Sequence, residues 1–443
     1  MSSEALTLLL FLLLFALLLL GFPVAFTLGG LSIMFGLAVF GFDFFNLLPL
    51  RIYGIMNNYV LIAVPLFVYM GVMLEKSGIA ERLLNTMALL LGRLSGGLAL
   101  SVIIVGALLG ATTGVVGATV TTMGLLSLPT MLRRGFSKSL ATGTIAAAGT
   151  LGQLIPPSVV MVLLGSVMNI SVGDLFAAAL IPSAILVLGY ILYILVVVLL
   201  NPKEAPPIAP EELDAFWRKG LVQRLFRAFV LPVFLVLAVL GSIYAGIATP
   251  TEAAAVGAAV AMLLTALEGK LTWEVVVDTC KQTTFLTSMV FIILIGATAF
   301  GLVFRGIGGD AVMVNLIEQA KLSPMLFLAF VLAGIFIAGC FIDFIEIIFI
   351  FVPVITPLLV KYEMNLVWVA ILITVMLQTS FLTPPFGFTL FYLKGVTPPE
   401  IQTTDIYKGV IPFIMIQIVV IAVIFAVPEL GSFVPKTTRA ALP

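Results

Sequence analysis

The chain has 443 residues, of which 62% are apolar and 9% charged, with 21 basic side chains balancing 21 acidic ones. Ordinary soluble domains carry roughly 25% charged residues, so this composition excludes a disordered chain, a nucleic-acid binder and a plain cytosolic enzyme. Histidine is absent, which removes the usual metal ligand and neutral-pH base, and the two cysteines, Cys280 and Cys340, support no disulfide framework.

Met1-Ser2-Ser3-Glu4 lacks the positive start of a secretory leader, so the apolar run behind it reads as a mature membrane helix. No charge follows Glu4 until Asp43, and that stretch reads as two spans folded at Gly21-Phe22-Pro23. Further along, charge-free runs mark the remaining spans, several of them near the roughly 20 residues a bilayer requires. Runs 94–132 and 139–173 are too long for one helix, yet they contain no polar loop. A broken helix with its unwound centre buried in protein explains both properties, because lipid does not tolerate open backbone.

Gly106 to Thr119 holds glycines at positions 106, 110, 114 and 117 and threonines at 112, 113 and 119. Close helix packing would account for the glycines. Unwinding at Thr112–Gly117 would instead expose uncharged oxygens suited to sodium. In Gly149-Thr150-Leu151-Gly152-Gln153-Leu154-Ile155-Pro156-Pro157-Ser158, two prolines remove two amide donors and break the helix. The half-helix that follows points its amides at the gap, where an anion can bind. Gln378-Thr379-Ser380-Phe381-Leu382-Thr383-Pro384-Pro385-Phe386-Gly387 is its counterpart, and simple structural kinks are the competing reading of both.

The polar segment 201–227 contains four prolines and then mixed charge, and reads as a linker between halves; its basic end and Arg133, Arg134 and Lys138 point to the cytoplasmic side. An offset of 228 lays Pro129 on Pro357, Pro156 on Pro384, Pro157 on Pro385, Gly106 on Gly334 and Gly78 on Gly306. Duplicated units interrupted by glycine and proline at matching places mark secondary transporters. Two runs, 62–71 and 287–301, read as re-entrant hairpins with proline or glycine at the tip, or else as ordinary spans. Asp343 and Glu346 lie on one helical face inside an apolar region and are candidates to meet a cation, a proton or substrate; the competing reading is an interior ion pair, with Arg305 as one conceivable partner, or a hydrogen-bonded acid.

Gly246-Ile247-Ala248-Thr249-Pro250-Thr251-Glu252-Ala253-Ala254 reads as a helix start, with Thr249 as N-cap, Pro250 at N1 and Glu252 closing a capping box. That stretch also resembles a hallmark of the large membrane subunit of tripartite ATP-independent periplasmic (TRAP) transporters, the DctM type. Val64-Pro65-Leu66-Phe67, the glycine/threonine break and both double-proline segments resemble the same family in the same order, across essentially the whole chain.

The resemblance implies an all-α polytopic membrane protein with inverted repeats, discontinuous helices and two re-entrant hairpins, working as an elevator. It implies sodium-coupled import of an organic anion such as a carboxylate, a periplasmic substrate-binding protein, a separate small four-helix membrane subunit and the bacterial inner membrane. Cation-binding positions then map onto Thr112, Thr113, Gly114, Gly117, Gly149, Gly152, Pro156, Thr379, Ser380 and Thr383. From the residues themselves, with helix amides after the breaks and acids inside an apolar region, the candidate substrate-binding positions are Thr150, Pro157, Ser158, Pro384, Pro385, Gly387, Asp343 and Glu346. No cofactor is implied beyond sodium as the coupling ion. The acidic segment Phe341–Glu346 departs from the family pattern.

The expected layout is scaffold helices in 1–51, a first repeat 52–200, the linker 201–227, scaffold helices 228–281, a second repeat 282–408, and a C-terminal helix and tail 409–443. A passive channel is the rival reading. An intramembrane enzyme finds no nucleophile–base pair or metal-ligand spacing, and ATP-driven transport finds no phosphate-binding loop.

Overall fold

The computed structural model describes residues 2–113, 116–208, 213 and 221–433, and among these every regular element is helical. Seven helical segments among them are long and apolar enough to cross a membrane.

The chain enters through α1 (Ser3–Leu19) and α2 (Val24–Phe40), which turn at Gly21 with φ +86° just ahead of Pro23. That left-handed backbone is one glycine adopts readily. Next come α3 (Phe44–Met56), mostly exposed, then α4 (Ala63–Lys76) and α5 (Ile79–Leu90). α6 (Gly97–Thr113) and α7 (Val116–Arg133) follow. An interrupted pair comes next, α8 (Lys138–Thr150) and α9 (Val159–Met168), and α10 (Val172–Leu200) closes the first half.

The second half runs through α11 (Leu221–Tyr244), α12 (Pro250–Leu267), α13 (Trp273–Gly306) and α14 (Gly309–Gln319). It continues with α15 (Pro324–Gly339), α16 (Phe344–Lys361), α17 (Leu366–Leu382), α18 (Phe388–Val396) and α19 (Thr403–Ala426). The expected capping box opens α12: the Thr249 amide donates to Glu252 Oε2 at 2.8 Å, and the Glu252 amide donates to Thr249 Oγ1 at 3.3 Å.

Element boundaries recur at the sequence offset. Arg133 and Lys361 end α7 and α16, and Lys138 and Leu366 begin α8 and α17, each pair 228 apart (361 − 133 and 366 − 138). At the tight turn the match slips by two residues. Gly78, at φ +72°, caps α5, whereas its sequence match Gly306 ends α13 and the left-handed residue is Gly308 at φ +82°.

Neither expected hairpin tip is a tip. Pro65 sits in the first turn of α4, where a missing N–H costs no helical hydrogen bond. Residues 287–301 belong to one unbroken helix of 34 residues. Gly296 serves packing instead: a Cβ there would lie 2.8 Å from the Ala25 carbonyl of α2. The chain reverses later, at Ser77-Gly78 and Ile307-Gly308.

The described start of the 201–227 segment is docked rather than solvated. Ala205 O accepts from the Gly96 amide at 2.8 Å, the Ile208 amide donates to Gly92 O at 2.8 Å, and Ala205 and Ile208 are buried. α11 begins inside this segment, at Leu221. The centre of the molecule is α8 and α17. Every residue from Leu140 to Thr150 is buried, as is nearly every residue from Trp368 to Leu382. Small side chains make this possible: Gly143 of α8 lies against the backbone of Gly409 in α19.

Candidate functional site

Both central helices end in a double-proline interruption. Pro156 and Pro157 deprive the Gly152 and Gln153 carbonyls of their helical donors, and Pro384 and Pro385 do the same to Ser380 and Phe381. After Thr150 the chain makes one tight turn at Leu151–Gln153, and it becomes helical again at Val159. After Leu382 it becomes helical again at Phe388. Both proline–proline bonds are cis.

The protein covers part of the freed backbone itself. Ser158 Oγ donates to Gln153 O at 2.6 Å, and Ser183 Oγ of α10 donates to Leu154 O at 3.1 Å. At the second break Thr383 N donates to Ser380 O at 3.1 Å, Gly387 N to Thr383 O at 3.1 Å, and Tyr407 Oη to Pro385 O at 2.9 Å. Gly387 is required there, since a Cβ would sit 2.5 Å from Phe381 O and 2.9 Å from Thr383 O.

The hydroxyls are oriented by the helix. Thr379 Oγ1 donates to Val375 O at 2.7 Å, Ser380 Oγ to Leu377 O at 2.8 Å, Thr383 Oγ1 to Thr379 O at 2.7 Å and Thr150 Oγ1 to Ala147 O at 2.9 Å. A hydroxyl whose proton is committed inward presents only lone pairs outward, the chemistry a hard cation needs.

The two breaks meet. Gln378 Nε2 donates to Thr150 Oγ1 at 3.4 Å across a sequence separation of 228, so the repeat-equivalent positions touch each other. Gln153 and Gln378 are both fully buried; both amide atoms of Gln153 and the Oε1 of Gln378 have no partner among the described residues. Burying an unsatisfied amide costs about 1–3 kcal/mol, so these atoms call for a partner from water, an ion or a solute. Sequence reasoning assigned neither glutamine a role; the available signal was an amide set inside an otherwise apolar run beside two prolines.

In each half a helix ahead of the double-proline segment closes on it through small residues. Gly110 of α6 packs on Gly152, where a Cβ would lie 2.7 Å from the Gly152 Cα. In the second half Gly339 packs against the Ser380 side chain, while Phe341 meets Phe386 at 5.5 Å and Phe344 meets Phe381 at 5.9 Å between ring centroids. The halves also cross over: α9 packs on α16 and α18 packs on α7.

Between Thr113, the last described residue of α6, and Val116, the first of α7, the centre of the expected Thr112–Gly117 break lies outside the described residues. The Thr112 and Thr113 side chains and all of Gly114 lie outside the described residues. Gly117 is in the first turn of α7 against the Tyr392 ring, and Gly149 packs on Val120. Thr150, Gly152, Pro156, Pro157 and Ser158 are buried at the first break; at the second, Thr379, Ser380 and Gly387 are buried, Thr383 and Pro384 half-buried, and Pro385 exposed. Asp343 and Glu346 are the cap of α16. Asp343 Oδ1 accepts from the Phe344 amide at 2.7 Å, and Glu346 Oε2 accepts from the Asp343 amide at 3.2 Å. Arg305 is not their partner: it lines a separate cavity beside Arg51.

The comparisons with known proteins agree with this architecture. The family model described as "Tripartite ATP-independent periplasmic transporter, DctM component" matches residues 11–430. The chain is 31% identical over 412 residues to the C4-dicarboxylate TRAP transporter large permease protein DctM of Pseudomonas aeruginosa, covering 92% of this chain and 93% of that protein. It is 30% identical over 375 residues to the ectoine/5-hydroxyectoine TRAP transporter large permease protein UehC of Ruegeria pomeroyi, covering 84% and 85%. Among solved structures, the YdaH transporter of Alcanivorax borkumensis shares the fold with a TM-score of 0.63 at 15% identity, covering 93% of this chain and 97% of that one. A multi-pass protein of the bacterial inner membrane, the chain belongs to the DctM family of TRAP transporter large permeases.

Proposed function

We propose that this permease couples sodium entry to the import of an organic anion, a carboxylate handed over by a periplasmic binding protein, in complex with a small four-helix membrane subunit. One observation carries the reading: two buried, uncharged helix breaks from equivalent positions of the two halves touch through Thr150 and Gln378. Sodium takes carbonyl and hydroxyl oxygens from three segments. Its ligands are drawn from Thr112, Thr113, Gly114 and Gly117, from Gly149, Gly152 and Pro156, and from Thr379, Ser380 and Thr383, with Gln153 and Gln378 filling the shell. The anion then sits at the N-termini of α9 and α18, near Thr150, Pro157, Ser158, Pro384, Pro385 and Gly387, where helix amides offer partial positive charge.

The halves work as inverted repeats. Their hairpin tips are the turns at Gly78 and Gly308, and the unit carrying the breaks moves as an elevator against the remaining helices. Asp343 and Glu346 fix where α16 starts and so set the edge of the site. The relatives named for C4-dicarboxylates, for ectoine and for sialic acid handle small polar organic solutes, which supports the substrate class. Uptake into proteoliposomes with both partners present tests the proposal. Import should collapse when the sodium gradient is removed. Import that persists unchanged defeats the coupling, and non-saturating flux without the binding protein would mean a passive channel.

A further inference from the structure

α4 lies in one candidate span, Tyr59–Lys76, and stands between two groups of helices. On one side it belongs with the helices outside the breaks. Gly257 of α12 lies under Met70, where a Cβ would be 2.6 Å from the sulfur, and Lys76 pairs with Asp278 of α13. On the other side it faces the unit that carries the breaks. α7 is part of that unit, since its Val120 packs on Gly149, and α9 follows the first break directly.

Two side-chain hydrogen bonds cross to that unit, one at each end of the span. Just ahead of α4, Asn58 Nδ2 donates to Ser166 Oγ of α9 at 2.9 Å. Local backbone aims it there, because Asn58 Oδ1 accepts from the Val60 amide at 3.0 Å. At the far end, Thr122 Oγ1 of α7 donates to Glu75 Oε1 at 2.7 Å. Between the two ends Phe67 meets Phe176 of α10, 6.3 Å apart between ring centroids, a contact with no directional bond to break. All four polar partners are half-buried, and Asn58 and Ser166 line a cavity of about 360 Å³, so water can take over these groups once the bonds open. The second half has no matching pairs. The residues 228 positions further on are Leu286, Val303 and Ile350, which offer no hydrogen bond, and Lys394, which donates to Ile401 O of its own loop at 2.5 Å.

We infer that Asn58 and Glu75 are positioning residues of the transport cycle: they fasten the unit carrying the breaks to α4 at both ends of the span, hold it in the position seen here, and release it when it travels. A neutral hydrogen bond shifts an equilibrium by about fivefold, and one to a carboxylate by about tenfold or more, enough to favour one position without trapping it. The inference rests on the proposed movement of that unit against the remaining helices.

The test reads position rather than uptake. Spin labels are placed at Val419→Cys of α19, which packs on α8, and at Val256→Cys of α12, both exposed, with exposed Cys280 replaced by serine and buried Cys340 retained. Pulsed electron–electron distance measurements on the full permease with its small subunit in nanodiscs, with and without sodium, should show two distances with one dominant. Thr122→Val should raise the minor population by about tenfold and Ser166→Ala by about fivefold, whereas Thr122→Ser, which keeps the hydroxyl, should restore the parent proportions. Two distances whose proportions ignore both substitutions overturn the fastening and leave the moving unit standing. A single distance in the parent and both variants, with and without sodium, overturns the movement and the fastening together. A lowered unfolding midpoint with no rise in the minor population reduces the two bonds to packing and overturns the inference.

Discussion

The two double-proline breaks share one sequence pattern but are finished differently. The first is sealed. Pro156 and Pro157 are buried, Gly110 lies on Gly152, and Ser158 and Ser183 cover two carbonyls. The second is open on one side: Pro385 and Phe386 are exposed, the latter at 49%, and its contacts are aromatic pairs and a tyrosine reaching in from α19. Equivalent glycines tell the same story. A Cβ on Gly106 would lie 2.7 Å from Ala148, whereas Gly334, 228 positions on, has open space. A shared sequence pattern therefore does not imply shared packing: the first break is closed along its α6 side, whereas the second combines a tight backbone contact at Gly387 with open space at Gly334.

The sharpest way to break this comparison is to add one carbon at matched positions. Gly110→Ala and Gly106→Ala each force the first break apart and should destabilise the protein by about 1–3 kcal/mol, the usual cost of overpacking. Gly334→Ala should be neutral or stabilising, by up to about 1 kcal/mol, because alanine favours a helix and meets nothing. Thermal unfolding midpoints in detergent check both. Equal losses at Gly106 and Gly334 would mean the second half is as tightly closed as the first.

Next in size are the glutamines. Gln153→Met removes two unpartnered buried amide atoms at nearly constant volume, so stability should rise by about 1 kcal/mol. If the amide serves a ligand, sodium-dependent uptake should nevertheless fall by tenfold or more. Gln378→Met should lose uptake in the same way but gain less stability, since its Nε2 already donates to Thr150. A stable variant with full uptake would reduce both residues to packing.

Smaller effects separate cap from charge at the edge of the second half. Asp343→Asn keeps a good N-cap and should change stability by only a few tenths of a kcal/mol, while Asp343→Ala should lose about 1 kcal/mol. Transport that tracks stability across the two variants assigns Asp343 to the helix end; transport lost in both assigns it to charge. Smallest is Ser158→Ala, which strips one donor from Gln153 O and should cost about 1 kcal/mol or less, with Thr383→Val as its counterpart at Thr379 O. A raised half-saturating sodium concentration for Thr383→Val alone would show that the open break holds the ion more loosely.

Much of the frame was legible in the residues. Proline has no amide and carries its meaning locally, so the breaks at 156–157 and 384–385 and the cap at Thr249 could be read directly. Charge-free length fixed the spans, because each is a property of one segment against lipid. The hairpin tips were misread because proline and glycine have two uses: Pro65 begins a helix, and Gly296 lets α2 approach. A segment viewed alone does not distinguish a turn from a contact.

The sequence by itself determined that this is a many-helix membrane protein of the DctM type with double-proline interruptions at 156–157 and 384–385, since backbone donors and apolar length are local quantities. Only the tertiary structure decided that Thr150 meets Gln378, that Asp343 and Glu346 cap a helix rather than pair with Arg305, and that Arg305 shares a cavity with Arg51. Those outcomes depend on which faces of distant helices come within a few ångströms. Close packing of the whole chain sets that, and no single stretch encodes it.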